Sequence, residues 1–251
     1  MHDFTPEQYQ LLIKALTACG IRHTQMHDVD ARPEYALRIA RIEADMGMRS
    51  TYYFRSMHFR SHSETIKAIV ALGHEAGYHY ECLTTTRGDV EAAYRDFHRN
   101  LEILRELTPV RTACAHGSPR SPYDSQDIWK QHDIHSLGID YEPMLDTDFS
   151  KTLYLTDTGR RWDGCRVSVR DKVPQHQEQW EREGLTFHST ADIIHALRDL
   201  HHPIHHKELL VNTHPQRWMP FGARWAAEAG AQWWKNQAKR LLVLYAESSR
   251  P

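Results

Sequence analysis

Short apolar strands alternate with amphipathic helices along the first half of the chain. Thr5 can cap a helix that has Pro6 at its first position and ends at Gly20. A strand at 22–28 follows, and Pro33 opens a second helix. The pattern then predicts a β-prone run at 49–55, a helix capped by Ser63, strands at 78–81 and 112–115, and a long helix at 89–107. This alternation is typical of parallel strands joined by helices, as a barrel or as a doubly wound sheet.

The second half of the chain is less regular. Residues 118–164 are rich in loop-forming residues, with a short helix predicted at 127–131 and strands near Ile139 and Leu153. After it the pattern predicts a helix from Ser189 to Leu200, a strand at 209–213 and an amphipathic helix at about 221–245. Because no linker or repeat interrupts the pattern, we predict one domain over 1–251, with the last helix packed on the same chain.

Composition and charge narrow the class of protein. A chain of 251 residues suits one large α/β domain, and (β/α) barrels commonly have about this length. The net charge of −2 argues against nucleic acid and anionic membranes as partners. No run approaches the roughly 18 apolar residues of a membrane helix, so no membrane insertion is expected. Without a signal-like start or paired cysteine motifs, we expect a cytoplasmic protein with reduced Cys19, Cys82, Cys114 and Cys165.

Histidine is unusually frequent, with 19 copies. The pairs His201–His202 and His205–His206 surround Pro203 in a turn that has no carboxylates to orient them as ligands. We therefore interpret that cluster as solvated.

The segment His27–Asp30 is the first candidate for chemistry. Residues i and i+2 of a strand face the same side, so Asp28 and Asp30 can both face one site. A divalent cation would relieve the repulsion between their carboxylates, with one as ligand and the other free to accept a proton. The alternative is that Asp30 belongs to a helix-capping turn before Pro33.

Further polar residues follow other predicted strands. His79 and Glu81 share the i, i+2 relation, and imidazole with carboxylate suits zinc and similar metals. His74 and Glu75 are expected in a solvated turn before that strand. Further strand-end positions are His116, the turn from Asp157 to Trp162, and His214. Several such positions in one chain favour an active site over coincidence.

Taken together, these motifs make the chain resemble the polysaccharide deacetylase family, carbohydrate esterase family 4. It is most similar to an uncharacterised branch associated with surface-polysaccharide biosynthesis. The resemblance spans about Ile21 to Trp218. It is carried, in family order, by His27–Pro33, Met46–Arg55, Leu72–Glu81, His116–Pro119, Thr156–Trp162, Thr186–Thr190 and Asn212–Trp218.

The resemblance implies a distorted (β/α) barrel with fewer than eight complete units. It also implies a divalent metal ion, usually zinc, and hydrolysis of an N-acyl group. By position, Asp28 matches the general base, Asp30 and His79 match metal ligands, and His214 matches the acid that protonates the leaving amine. Asp157 and Trp162 fall near a region that orients this histidine or walls the pocket.

The chain departs from the family pattern at Leu83, where the second ligand histidine would stand. Glu81 and His116 are our candidates to complete the metal site. The family's arginine-containing motif is also not evident, and the segment from His116 occupies its region. Tyr80, Trp162 and Trp218 are candidates to stack on a sugar ring, with ordinary core packing as the alternative.

The sequence therefore predicts a metal-dependent hydrolase that removes an N-acyl group, with acetyl the leading candidate, from an amino sugar or sugar precursor. A deformylase or another amide hydrolase on the same scaffold is the alternative within enzymes. A non-catalytic binding protein that has lost the metal is the alternative outside them, and Leu83 is the feature that favours it.

Overall fold

The computed structural model describes residues 2–118, 121–163, 168 and 170–248. Within them are six strands: β1 His23–Val29, β2 Thr51–Phe54, β3 Glu75–Tyr80, β4 Ala113–Ala115, β5 Thr152–Thr156 and β6 Glu208–Thr213. The α-helices are α1 Pro6–Ala18, α2 Pro33–Asp45, α3 Ser56–Phe59, α4 Ser63–Ala71, α5 Cys82–Thr85, α6 Val90–Arg105, α7 Pro143–Asp146, α8 Pro174–Arg182, α9 Thr190–Arg198 and α10 Ala223–Ser248. None of the described helices is both long enough and apolar enough to cross a membrane.

Contacts within the chain divide it into two compact units. The central unit is Gln25–Asp148, and the terminal unit combines the residues up to Thr24 with those from Phe149 onward. In the central unit the strand order is β4-β3-β2-β1, and in the terminal unit β5 lies beside β6. The described pairings of β1 with β2, β2 with β3, β3 with β4 and β5 with β6 are all parallel. Parallel strands alternating with helices, in fewer than eight repeats, confirm the predicted fold class.

The central unit packs its strands closely through a glycine. Gly77 lies inside β3, and a Cβ atom there would be 2.5 Å from the ring carbons of Tyr53 and 2.8 Å from Thr112 Oγ1. A larger residue at this position cannot be accommodated unless a neighbour moves. The strand that contains this glycine begins at Glu75, three residues before the predicted start at 78.

Two expectations were wrong, one about His74 beside β3 and one about a strand at Ile139. His74 is buried instead of solvated, because its Nε2 is 2.9 Å from the Ala40 carbonyl and its Nδ1 accepts the Ser50 amide at 3.2 Å. No strand forms at Ile139. A 3-10 turn ends there at Gly138, whose φ of 73° is left-handed, and only an isolated bridge joins Thr112 to Tyr141.

Helix ends in the terminal unit follow the sequence more closely. Thr5 accepts the Gln8 amide at 3.3 Å, as its predicted capping role requires. Ser189 and Asp192 form a capping box at the start of α9. Leu12, Ile13 and Leu16 of α1 and Ile193 and Leu197 of α9 supply part of the buried core. Cys165 lies outside the described residues.

Candidate functional site

The carboxyl ends of β1, β3 and β4 bring polar residues to one edge of the central sheet. The register pairs His79 with Cys114 and Tyr80 with Ala115, so Glu81 and His116 follow neighbouring strand ends. Asp30 follows the end of β1 directly. Arg32, not Asp30, occupies the N-cap position of α2, and the Arg32 side chain makes no capping hydrogen bond. Asp30 is therefore not the N-cap residue of α2.

Asp30, His79 and His116 place three metal-binding atoms together. Asp30 Oδ1 lies 3.4 Å from His79 Nε2 and 3.4 Å from His116 Nε2. Asp28 lies at the other side of the His79 ring, with its Oδ1 3.9 Å from Nδ1. Asp28, His79 and the Cys114 thiol form a second, overlapping group of potential ligands. The two aspartates thus flank one imidazole.

Hydrogen bonds fix both imidazoles through their Nδ1 atoms. His79 Nδ1 is 2.9 Å from the Cys114 carbonyl oxygen, which can only accept, so this nitrogen carries the proton. His116 Nδ1 is 3.0 Å from Glu81 Oε2. Each contact holds a proton on Nδ1, so Nε2 is the nitrogen that faces Asp30 and that would bind a metal after losing any proton of its own. Burial lowers the pKa of His79, but Asp28 and Asp30 outweigh it and raise this pKa to about 9.

Glu81 does not belong to either group of potential metal ligands. It forms a hydrogen bond with one of those ligands, His116. Arg55, at the end of β2, donates from Nε to Glu81 Oε1 at 3.0 Å, and its NH2 donates to the same oxygen. Burial raises the pKa of Glu81, but the hydrogen bonds from His116 and Arg55 lower it to about 2. Glu81 is therefore held ionised between a guanidinium and an imidazole. Arg55 had no role in our sequence-based prediction, although its position after a strand could have indicated one.

The terminal unit contains a separate buried cluster around Asp157. His214 Nδ1 is 2.7 Å from Asp157 Oδ1, and Trp218 Nε1 donates to Oδ2 at 2.7 Å. Arg217 donates to the same carboxylate at 2.7 Å. Burial raises the pKa of Asp157, but the charges of Arg217 and His214 lower it below its usual range. The prediction that Asp157 orients His214 agrees with this geometry, whereas Arg217 is a partner that we had not predicted.

The aromatic residues predicted to stack on a sugar lie in the core. Tyr80 and Trp218 are fully buried, and Trp162 is 6% exposed. The Tyr80 hydroxyl donates to Glu142 at 3.2 Å and accepts from Trp129 Nε1 at 2.8 Å. Trp162 Nε1 donates to Thr190 Oγ1 at 2.9 Å. Rings that are covered on both faces cannot receive a sugar, so the core-packing alternative applies to these three residues.

No family model matches the sequence, and no curated protein matches it. Among solved structures, the chain is similar to a CE4 family pseudoenzyme from Bacillus anthracis, with 14% identity and a TM-score of 0.45. That match covers 87% of this chain and 61% of the other, so this chain spans less than two thirds of that protein.

Two further structures are similar. A family 4 carbohydrate esterase from Streptomyces lividans, in complex with acetate, has 12% identity and a TM-score of 0.45, covering 89% of this chain and 91% of its own. A family 4 carbohydrate esterase from Bacillus anthracis has 10% identity and a TM-score of 0.43, covering 86% and 76%. These structures come from the family that the sequence motifs resemble.

Proposed function

We propose that the protein is a metal-dependent hydrolase that removes an N-acyl group, acetyl in the first instance, from an amino sugar or sugar precursor. The observation that carries the proposal is the triangle of Asp30 Oδ1 with the Nε2 atoms of His79 and His116. The order of the sequence motifs supplies the acyl-sugar part of the proposal.

The spacing of this triangle suits zinc. Ligand atoms about 2.0–2.1 Å from a tetrahedral zinc ion lie roughly 3.3 Å from one another. The two oxygen-to-nitrogen distances of 3.4 Å agree with that edge length. One carboxylate and two imidazoles are also a common zinc donor set, and three protein ligands leave a fourth position open for chemistry. His116 would thus take the place of the histidine that Leu83 removes.

A bound zinc ion would polarise the acyl carbonyl and lower the pKa of water towards neutrality. Asp30 would balance its charge, and the proton on each Nδ1 would keep both imidazoles in the ligating tautomer. Asp28 is our proposed general base, because a carboxylate beside the ligand His79 can accept the proton that the attacking water loses.

His214 remains our proposed general acid. Its hydrogen bond to Asp157 holds the ring through Nδ1, so Nε2 would be the nitrogen that donates a proton to a departing amine. Two observations support this role: the hydrogen bond between His214 and Asp157, and the position of His214 in the order of the family motifs.

Metal content tests the proposal first. We expect elemental analysis of the purified protein to give one zinc or similar ion per chain. His116→Ala should bind it at least about tenfold more weakly. His98→Ala is the matched control, because His98 is an exposed histidine on α6 of the same unit. No metal in the wild type would contradict the proposed site and favour a binding protein without metal. Equal metal in His116→Ala would contradict the role of His116 as a ligand.

Product analysis then tests the reaction. The loaded enzyme should release acetate from N-acetylated amino sugars, and a chelator should abolish the release until zinc is restored. Formate or a ring-opened acid as the product would instead identify a deformylase or a cyclic-amide hydrolase on the same scaffold.

A further inference from the structure

A cleft in the terminal unit lies between the turn at 159–163 and the first half of α10. It has a volume of about 380 Å³, within the range of small-molecule sites. The residues that matter for its chemistry are Arg160, Arg161, Asp163, His188, Trp225 and Trp233. None of them takes part in the function proposed above.

One wall of the cleft is aromatic and rigidly held. The Arg160 guanidinium lies 4.8 Å from the Trp225 ring centre and 5.5 Å from that of Phe4, so it makes a cation–π contact with each ring. Trp225 Nε1 donates to the Asp3 carbonyl at 3.0 Å, which fixes the orientation of this indole. Beside this fixed wall, Trp233 is 54% exposed. A large apolar ring is therefore presented to solvent at the edge of a preformed cavity.

The opposite edge of the cleft is polar, and hydrogen bonds hold its side chains in place. The Asp163 carboxylate accepts from Arg161 at both oxygens, by Nε and by NH2, and is 2.8 Å from His188 Nδ1. Because Nδ1 is engaged, the imidazole of His188, whose side chain is 79% exposed, keeps Nε2 for a ligand. Asn236 donates to the Gly159 carbonyl and accepts from Gln232, which joins α10 to the turn. The planar polar groups are thus held in place before any ligand arrives.

The formal charges along the cleft cancel. Asp3 and Asp163 oppose Arg160 and Arg161, all four of which line the cavity. An anion or a cation would therefore gain little electrostatic attraction here. A purely apolar ligand would bury the Arg161–Asp163 pair away from water with no new hydrogen bond in return. The lining suits a neutral ligand that has one apolar face and a rim of hydroxyl groups.

We propose that this cleft binds a neutral saccharide, with the C–H face of one ring against Trp233 and its hydroxyl groups paired with Arg161, Asp163 and His188. A pyranose ring has this combination of surfaces. The inference concerns the terminal unit alone and stands whether or not the central unit binds a metal.

Saccharide titration followed by ligand-observed NMR tests the inference. Cellobiose, a neutral disaccharide without the N-acyl group that the proposed metal site would act on, is the neutral probe, and glucuronic acid and glucosamine are the charged ones. We expect the neutral disaccharide to bind, and Trp233→Ala to weaken its binding at least about fivefold through loss of the aromatic contact. His188→Ala should also weaken it. Leu200→Ala is the control, because Leu200 is a 75% exposed apolar residue of the same unit that does not line the cleft.

Asp30→Asn separates this site from the proposed metal centre. We expect this variant to bind the disaccharide as the wild type does, whatever happens to its metal content. No binding by the wild type, or equal weakening in Trp233→Ala and Leu200→Ala with unchanged circular dichroism, would overturn the inference. A preference of more than tenfold for glucuronic acid or glucosamine would overturn the assignment of a neutral ligand.

Discussion

Hydrogen bonds at Nδ1 decide which atoms His79 and His116 present to Asp30. A backbone carbonyl holds Nδ1 of His79, whereas a carboxylate, Glu81, holds Nδ1 of His116. The first contact belongs to the sheet and cannot be removed by mutation of a side chain. The second can, and it depends in turn on Arg55. The His116 side of the triangle is therefore the part that a single substitution can loosen.

Glu81→Gln is predicted to weaken metal binding about 10–100-fold, because a neutral amide no longer stabilises the Nδ1 proton of His116. The apparent affinity can be measured by competition with a coloured zinc chelator. Glu64→Gln is the matched control, since Glu64 is an exposed glutamate on α4 that pairs only with Lys67 among the described residues. Equal affinity in Glu81→Gln and the wild type would show that His116 does not need this partner.

His214→Ala is predicted to lower kcat by at least about 100-fold on an N-acetylated amino sugar, because the leaving amine loses its proton donor. Metal content should stay at the wild-type value, which separates this loss from a loss of zinc. Asp28→Asn should behave likewise through loss of the base. Turnover within a few fold of the wild type in both variants would refute the assigned acid and base.

The strands and helices that the sequence pattern predicted well are those with an apolar face. The stripe of α2 and the β-prone run of β2 are examples, and so is the Ser189 cap, whose chemistry is local. The helix α8 escaped prediction because only Trp180 of its nine residues is buried, so no periodic stripe exists. The strand-end rule located Asp30, His79 and His116. It could not show that Glu81 faces an imidazole, since that contact joins side chains from two strands.

Gly77→Ala tests how tightly β3 packs on its neighbours. The new methyl group would meet the Tyr53 ring at 2.5 Å, so we expect the free energy of unfolding to fall by about 1–3 kcal/mol or more. Gly230→Ala in α10 is the matched control, because nothing lies within 4 Å of its added Cβ. It should instead stabilise the helix by about 0.5–1 kcal/mol. Urea unfolding measures both, and equal stability of the two variants would contradict the close packing of β3.

Buried carboxylates make the stability of the whole molecule depend on pH, and they act in opposite directions. Burial raises the pKa of Glu142 to about 7, although backbone amides partly oppose the shift. Its ordinary value is 4.5, so the folded state holds this proton more tightly, and its contribution is full below pH 4.5 and is lost as the pH rises through 7. Asp157 has a lowered pKa, so its contribution has the opposite sign.

Asp157→Asn is predicted to reduce the free energy of unfolding by about 3 kcal/mol at pH 7, because Arg217 loses its buried counter-charge. The native carboxylate is favoured over the unfolded one, whose pKa is about 3.9. The advantage of the wild type is therefore present above about pH 4 and is lost as the pH falls through the lower folded pKa. Urea unfolding at pH 7, 5 and 3 should give an equal gap between wild type and variant at the first two values and a smaller gap at the third. Asp45→Asn, an exposed aspartate at the end of α2, should show no gap at any of them. A gap that persists unchanged to pH 3 would mean that Asp157 stabilises the fold through shape and hydrogen bonds instead of through its charge.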